Sequence, residues 1–418
     1  MPDVRSLFVV VLLAVTVIGL ASAEEGKAPA AAAGAAASSI SGWRGDGSGR
    51  FPDATPATTW SATANVRWHV TVGTGYSSPI VTDTAVFVTA EPDTLIRLDR
   101  ANGHQRWRYR MATTDLAHPE ERTKAAAYQL VEHGSGMTAA TPVTDGTAVY
   151  TVCANGIVRA ISMDGTLLWA AYIEAEQNTA YGRSSSPIIV AGRLIVHMTN
   201  LYAFDLATGK RLWVNSDAAS TYGTPVALTI GNTLVIATPG GDVVRAEDGK
   251  SLDSRIGLSS NASPVAKDGV VYFSDHAVKA VRLTGAFKDE EQWTCDMTAD
   301  IFGSPVLHDG ILYVATGAGE LFAFDAAGKG DLKPLIVARP LFDGGGGGAE
   351  PLVFASLTLA GRYLFLNTNQ GDIVVLEATR DAKLVSKNHL PSGSGAAPAF
   401  AGKDMLLRDG DQLFCIGN

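Results

Sequence analysis

The chain has 418 residues, of which 46% are hydrophobic and 18% are charged, and its formal net charge is −9. High hydrophobicity with few charges excludes a disordered chain, and the 42 acidic against 33 basic residues argue against binding to nucleic acid. The 44 glycines argue against a long helical bundle, because a glycine inside a helix costs about 1 kcal/mol relative to alanine. This composition favours many short strands joined by tight turns.

The N-terminal residues have the pattern of a secretory signal peptide. Arg5 precedes an apolar run at residues 7–20, and Ala21-Ser22-Ala23 supplies the small residues of a cleavage site. We therefore predict a signal peptide at residues 1–23 and an exported protein that is periplasmic or extracellular, soluble and without a transmembrane segment. No cysteine lies near the cleavage site, so a lipid anchor is not expected.

Two short segments separate the signal peptide from the rest of the chain. Residues 24–40 are rich in alanine and glycine, which predicts a flexible tether. Residues 41–64 are predicted to form an extended N-terminal segment. Within it, Arg44-Gly45-Asp46 spells an integrin-type tripeptide, which we interpret as a chance occurrence.

One pattern then recurs eight times along the chain. A small residue precedes a proline, and a β-branched run, a turn and further short apolar runs follow. The proline positions are 79, 142, 187, 225, 264, 305 and 398, and Leu357 takes the place of proline in the seventh unit. The third unit contains four predicted strands, at residues 186–190, 194–198, 201–205 and 211–214. Four short strands in roughly 40 residues are typical of one propeller blade.

The two ends of the repeat region complement each other. A lone strand at residues 66–70 precedes the first unit, and the last unit, at residues 398–416, holds only three strands. We therefore predict an all-β, eight-bladed propeller of four-stranded antiparallel blades over residues 65–418, closed by the N-terminal strand in the last blade. The alternatives are seven blades, paired β-sandwiches and an open solenoid, which would need capping repeats that the sequence lacks.

The third unit also carries a family motif. The stretch AFDLATGKRLW at residues 203–213 matches the tryptophan-docking pattern A-x-D-x-x-T-G-x-x-x-W. On this motif the chain resembles the PQQ-like (quinoprotein-type) β-propellers, and in size and repeat type it is similar to their BamB-like, non-enzymatic branch. The resemblance implies a structural docking role for the tryptophans at the ends of fourth strands, which are Trp68, Trp107, Trp169, Trp213 and Trp293.

The resemblance also raises the question of a quinone cofactor. The PQQ enzymes of this family hold the cofactor between a tryptophan floor and a disulfide of adjacent cysteines, beside a calcium ion. Here Cys153, Cys295 and Cys415 fall in units two, five and eight, too far apart for a disulfide. The eight histidines lack the spacing of a metal site. The sequence therefore predicts no catalytic residue, no cofactor, no metal and three free, mostly buried thiols.

Candidate binding residues lie in the links that join one unit to the next. The longest link covers residues 112–136, with a short helix predicted at residues 119–131, and the glycine run at residues 344–348 is interpreted as a flexible loop on the same rim. One rim with elaborated loops and aromatic residues is a common form of binding surface. The alternative is that these aromatic residues cap the core. The candidates are Tyr76, His118, Tyr128, His133, Tyr181, Arg183, Tyr222, Asn261, Phe302 and Phe354.

These observations predict a monomeric, non-catalytic propeller that acts as a protein-interaction scaffold in the cell envelope. Its partners would be envelope proteins, and its mechanism would be the rigid display of rim loops. Two alternatives from other classes stay open. One is a PQQ-dependent, dehydrogenase-like quinoprotein, and the other is a propeller that binds a carbohydrate or small ligand at the channel mouth.

Overall fold

The computed structural model describes residues 40–131, 134–174, 181–218, 222–342 and 353–417. Residues 1–39, which include the predicted signal peptide and nearly all of the tether, lie outside this part, as do His133 and the glycine run at residues 344–348. The described residues form eight sheets of sequential antiparallel strands. This arrangement confirms the predicted eight-bladed propeller.

The first four blades contain four strands each. Blade 1 consists of β3 (Ile80–Val81), β4 (Ala85–Ala90), β5 (Thr94–Asp99) and β6 (Gln105–Arg110). Blade 2 consists of β7 (Val143–Thr144), β8 (Ala148–Val152), β9 (Ile157–Ser162) and β10 (Leu167–Tyr172). Blade 3 consists of β11 (Ile188–Val190), β12 (Arg193–Met198), β13 (Asn200–Asp205) and β14 (Arg211–Asn215). Blade 4 consists of β15 (Val226–Ile230), β16 (Thr233–Ala237), β17 (Val243–Arg245) and β18 (Ser251–Asp253).

The remaining blades include two short additional strands. Blade 5 consists of β19 (Val265–Lys267), β20 (Val270–Ser274), β21 (Ala277–Leu283) and β22 (Asp289–Asp296), extended by β26 (Gly330–Asp331). Blade 6 consists of β23 (Val306–His308), β24 (Ile311–Ala315), β25 (Glu320–Asp325) and β27 (Ile336–Pro340). Blade 7 consists of β28 (Thr358–Ala360), β29 (Tyr363–Asn367), β30 (Asp372–Glu377) and β31 (Leu384–His389), extended by β1 (Arg50–Phe51). Blade 8 consists of β32 (Ala399–Ala401), β33 (Asp404–Asp409), β34 (Gln412–Ile416) and β2 (Val66–Thr71).

Burial distinguishes the inner from the outer strands. Every residue of β4, β8 and β33, each a second strand, is buried, whereas the fourth strands β6 and β31 are mostly exposed. The first strands of neighbouring blades contact each other, as β15 and β19 do. The first strands therefore line the central channel. Because the strands alternate in direction, the fourth-to-first links and the second-to-third turns share one face, which we call the link rim.

A ring of hydrogen bonds joins the blades where the first strands begin. In blades 1 to 6, the amide of the residue before the strand-opening proline donates to the hydroxyl of the equivalent serine or threonine in the next blade, over 2.8–3.0 Å. We call these residues the hydroxyl girdle: Ser78, Thr141, Ser186, Thr224, Ser263, Ser304 and Ser356. The repeated Ser/Thr-Pro pair of the sequence thus satisfies buried amides between blades. In the eighth blade this position is Ala397, which has no hydroxyl.

The N-terminal part of the chain closes the ring. Strand β2 pairs antiparallel with β34, with Trp68 opposite Cys415, as predicted for the strand that completes the last blade. Upstream, β1 pairs in parallel with the first strand of blade 7, with Arg50 opposite Leu359. The predicted extended segment at residues 41–64 therefore reaches the inner edge of the ring, which the sequence did not indicate.

Candidate functional site

The longest link, at residues 112–136, is a fixed part of the link rim. It contains a 3-10 helix at Thr113–Asp115 and the helix α1 at Pro119–Ala127. Proline suits the first turn of a helix, where its missing N–H would have no partner within the helix. The helix ends four residues before the predicted residue 131. None of the helices in the described part of the chain is long and apolar enough to cross a membrane.

A buried arginine holds this link against blade 2. Arg159 on β9 has a fully buried side chain whose Nε donates to Asp115 Oδ2 over 2.7 Å and whose Nη2 donates to the Ala112 carbonyl over 2.8 Å. Such charge-assisted bonds are strong and directional. Arg159 is not among the residues predicted from the sequence. A lone arginine in the apolar strand Ile157–Ser162 is nevertheless a detectable signal, because a buried arginine requires a partner.

Glu91 fixes the other end of the same link. Its carboxylate accepts bonds of 2.8 Å from the amides of Met137 and Thr138 and from the Thr138 hydroxyl. The side chains of Arg159 and Glu91 thus bind the propeller to residues near both ends of the link. The link presents a preformed surface, which lowers the entropy cost of binding a partner.

The structure brings four of the predicted rim residues together as two aromatic pairs. The rings of Tyr181 and Tyr222 lie 6.1 Å apart, and the Tyr181 amide donates to the Tyr222 hydroxyl over 3.2 Å. The rings of Phe302 and Phe354 lie 5.2 Å apart. These pairs lie in the links that precede blades 3 and 4 and blades 6 and 7, and we call the four residues the aromatic crescent. Tyr181 is 63% exposed and Phe354 is 44% exposed.

A third pair combines an aromatic ring with a cation. The Arg183 guanidinium lies 5.9 Å from the centre of the Tyr128 ring, within cation–π distance. Arg183 is buried and Tyr128 is half-buried. Burial raises the pKa of the Tyr128 hydroxyl, and the charge of Arg183 partly opposes this rise. Tyr128 therefore stays protonated at neutral pH and offers a hydrogen-bond donor beside the long link.

The remaining rim candidates lie apart from these pairs. Tyr76, which is 56% exposed, makes no ring contact with another described aromatic residue. His118 is exposed and caps the start of α1 through its carbonyl, which accepts a bond from the Arg122 amide. Asn261 is half-buried. In the sequence it lies between Tyr222 and Phe302, and it belongs to neither aromatic pair. His133 lies outside the described residues.

The five tryptophans of the docking motif share one geometry. The indole Nε1 of each donates to a backbone carbonyl of the following blade over 2.8–3.2 Å, from Trp68 to Arg100, Trp107 to Met163, Trp169 to Leu206, Trp213 to Ala246 and Trp293 to Ala326. Four of them also cover a turn glycine of that blade. A Cβ at Gly209, for example, would lie 2.5 Å from Trp169. The glycine of the motif is therefore required by the ring that packs on it.

The other two tryptophans and the cysteines bear on a quinone cofactor. Trp60 is buried against Phe365, with ring centres 6.3 Å apart, and Trp43 stacks on the guanidinium of Arg44 at 5.1 Å. Cys153, Cys295 and Cys415 lie in blades 2, 5 and 8 as free thiols. In the described ranges, no three His, Cys, Asp or Glu side chains form a group that could hold a metal ion. These residues do not fit the tryptophan floor, vicinal disulfide and calcium ligands of the quinoprotein enzymes.

Solved structures of several propellers resemble this fold. BamB from Moraxella catarrhalis superposes with a TM-score of 0.59 at 11% identity, covering 84% of this chain and 98% of that one. Quinohemoprotein alcohol dehydrogenase from Comamonas testosteroni gives a TM-score of 0.57 at 11% identity, covering 88% of this chain and 79% of that one. A europium-containing methanol dehydrogenase gives 0.56 at 12% identity, with 88% and 89% covered. At these identities the likeness concerns the fold alone.

A comparison at the level of sequence identifies the family of this chain. No curated protein sequence matches the chain significantly. The family model described as "Outer membrane protein assembly factor BamB" matches residues 53–139 and 134–286, which together make up more than half of the chain. The protein therefore belongs to this family of PQQ-like β-propellers.

Proposed function

We propose that this propeller is an exported, non-catalytic scaffold that binds a protein partner in the cell envelope through its link rim. The family model carries the description of an outer membrane protein assembly factor, which supports a role in envelope assembly. Export rests on the signal-peptide pattern of residues 1–23. The protein would act as a monomer, because each blade already packs against two neighbours in a closed ring.

The observation that carries this proposal is the aromatic crescent on the link rim. Exposed aromatic residues on a rigid support are the usual centres of binding energy in protein interfaces. Here Tyr181 packs against Tyr222, and Phe302 packs against Phe354, so each ring limits the motion of its partner. Arg159 and Glu91 fix the adjacent long link. The crescent thus combines exposed apolar area with little side-chain freedom to lose on binding.

The chemistry of the rim favours binding over catalysis. Glu91 and Asp115 already accept hydrogen bonds from amides, a hydroxyl or a guanidinium, which commits them to holding the link. The fully buried Cys153 thiol has a raised pKa because burial disfavours the thiolate, which is the nucleophilic form. These groups position the rim and offer no activated nucleophile.

The test compares variants of the crescent with variants of the outer strands. Tagged wild-type protein is used to isolate partners from an envelope extract, and the partners are identified and quantified by mass spectrometry. Tyr181→Ser with Phe354→Ser removes two exposed rings from the crescent, and we expect it to reduce partner recovery at least tenfold. Leu212→Ser with Val214→Ser removes two exposed apolar side chains from β14, an outer strand, and is the control. Equal loss in both double variants would refute binding through the crescent.

The enzymatic alternative has its own test. The purified protein is incubated with PQQ and Ca²⁺, and the oxidation of alcohols is followed with an artificial electron-accepting dye. We expect no turnover above that of free PQQ. Saturable alcohol oxidation that depends on the protein would overturn the non-catalytic proposal.

A further inference from the structure

The N-terminal residues 41–51 cross the central channel. Ser41 exchanges two backbone hydrogen bonds of 3.0 and 2.8 Å with Thr144, which lies on the first strand of blade 2. Across the ring, Arg44 Nη2 donates to the carbonyls of Pro305 and Leu357 over 2.6 and 2.9 Å. These two residues open the first strands of blades 6 and 7. The segment therefore connects opposite sides of the channel wall.

The guanidinium of Arg44 is bound directly beside the hydroxyl girdle. Pro305 and Leu357 directly follow the girdle residues Ser304 and Ser356, so the carbonyls that hold the guanidinium lie one residue below the girdle. The Arg44 backbone belongs to the segment that is bonded to Thr144, the last residue of β7, which lies on the side of the channel away from the link rim. The guanidinium is thus directed along the channel towards the link rim.

The guanidinium of Arg44 is closely packed by two neighbouring residues. The Trp43 ring covers one side at 5.1 Å, and Gly49 lies on it so closely that a Cβ there would be 2.2 Å from Nη2. Gly49 also has a φ of +74°, which a side chain would disfavour. Only 2% of Arg44 is exposed. Gly49 and Trp43 therefore form a preformed binding pocket for the guanidinium of Arg44.

In the part of the chain that the structure describes, no carboxylate forms an ion pair with Arg44. Its Nε and Nη1 are buried and have no hydrogen-bond partner among the described residues. Burial lowers the pKa of the guanidinium to about 9, and the attraction of Asp46, an exposed residue bonded to Ser48, only partly opposes this. The group is still charged at neutral pH. A buried charge is expected to be paired, because leaving water without a partner costs several kcal/mol.

We propose that the central channel binds one small oxyanion at Arg44, held by the Nε and Nη1 groups, which have no hydrogen-bond partner within the described ranges. Guanidinium N–H groups prefer carboxylate, sulfate and phosphate oxygens over other acceptors. The anion enters from the link rim, because residues 41–51 occupy the opposite side. Its negative charge compensates the buried cation and strengthens the contact between the N-terminal segment and blades 6 and 7.

Anion-dependent stability tests the site in the whole protein. The thermal midpoint of the wild-type protein is measured in millimolar sulfate, phosphate, acetate or chloride at constant ionic strength. We expect the midpoint to rise with oxyanion concentration and to level off once one site is filled, since a ligand of the folded state stabilises by mass action. General salt effects on protein surfaces do not saturate in this range.

Two variants assign the effect to Arg44. In Arg44→Gln the saturable rise should disappear. Arg100→Gln is the matched control, because all three guanidinium nitrogens of Arg100 have partners: Nε donates to Asp404 Oδ2, and Nη1 and Nη2 donate to the carbonyls of Asp83 and Ala401. This variant should keep the wild-type response. Equal responses in wild type and Arg44→Gln would overturn the proposal.

Crystallography gives a readout that does not require the variant to fold. Wild-type crystals soaked in selenate should show one anomalous peak within hydrogen-bond distance of Arg44 Nε or Nη1. A peak only at surface lysines or arginines, or no peak in the channel, would overturn the proposal unless acetate gives the saturable rise in thermal midpoint that Arg44→Gln abolishes. Acetate that stabilises while sulfate and selenate do not would identify a carboxylate as the oxyanion that the channel accepts.

Discussion

The buried His197 makes the stability of blade 3 depend on pH. This residue lies on β12, is 1% exposed, and its Nε2 donates to the Ala218 carbonyl over 3.1 Å. Its Nδ1 is buried without a partner among the described residues, so a second proton would place an unpaired charge in the core. Desolvation lowers the pKa of the imidazole from 6.5 to about 4.

The size and direction of the effect follow from this difference in pKa. Above pH 6.5 the imidazole is neutral in both the folded and the unfolded chain. Between pH 6.5 and 4 the unfolded chain binds a proton that the folded chain does not, so the folded state loses stability as the pH falls. One pKa unit corresponds to about 1.4 kcal/mol, so this histidine alone costs about 3 kcal/mol at pH 4 relative to pH 7.5.

The assay is urea unfolding at pH 7.5, 6, 5 and 4 for the wild type and for His197→Gln. The glutamine amide can still donate to Ala218 but does not titrate in this range. We expect the free energy of unfolding of the wild type to fall by about 3 kcal/mol more than that of His197→Gln over this range. His276→Gln, at a side chain that is 83% exposed, is the control that keeps the wild-type dependence. Parallel pH curves for wild type and His197→Gln would refute the reasoning.

Two further predictions concern the contacts between blades, each measured as a change in the free energy of unfolding. Gly192→Ala meets no atom within 4 Å and should cost only about 1 kcal/mol for its positive φ. Gly209→Ala, with a similar φ, would place its Cβ 2.5 Å from Trp169 and should cost about 1–3 kcal/mol more; equal costs would show that the indole does not depend on the glycine. Ser356→Ala leaves the buried Ser304 amide without its acceptor and should cost about 1–3 kcal/mol. Ala397→Ser offers the girdle its missing hydroxyl and should gain about 1 kcal/mol; a loss in Ala397→Ser would show that the girdle bond cannot form in the eighth blade.

The repeating strands could be predicted because each blade uses the same residue types at the same positions. Proline suits the opening of a first strand, where its missing N–H breaks no ladder bond, so these prolines mark the blades. Trp68 matches the docking tryptophans of the fourth strands, which indicated that its strand belongs to a blade. These signals depend on neighbours in the same or the adjacent blade, and they are therefore visible in the sequence.

The contacts that no repeat specifies could not be predicted. Arg44 stands in a tripeptide that has no periodic context, and its role depends on where residues 41–51 lie relative to Pro305, 261 residues later in the chain. Tyr181 and Tyr222 could be selected as rim residues, but their contact depends on the angle between blades 3 and 4. The pairing of Arg159 with Asp115 requires the long link to fold back over blade 2. In each case the partner is set by tertiary structure.

The closure of blade 8 by strand β2 also determines when the protein can complete its fold. Trp68 pairs with Cys415, so this strand has no sheet partner until nearly the whole chain has been synthesised. Pairings of such high sequence separation slow folding, because the entropy of closing the loop is lost before the contact forms. Blades 1 to 7 can form from consecutive residues, while blade 8 and the residues that cross the channel must wait. Ring closure is therefore the step at which folding of this propeller should be slowest, and the step at which the incomplete protein exposes an unpaired edge to chaperones and proteases.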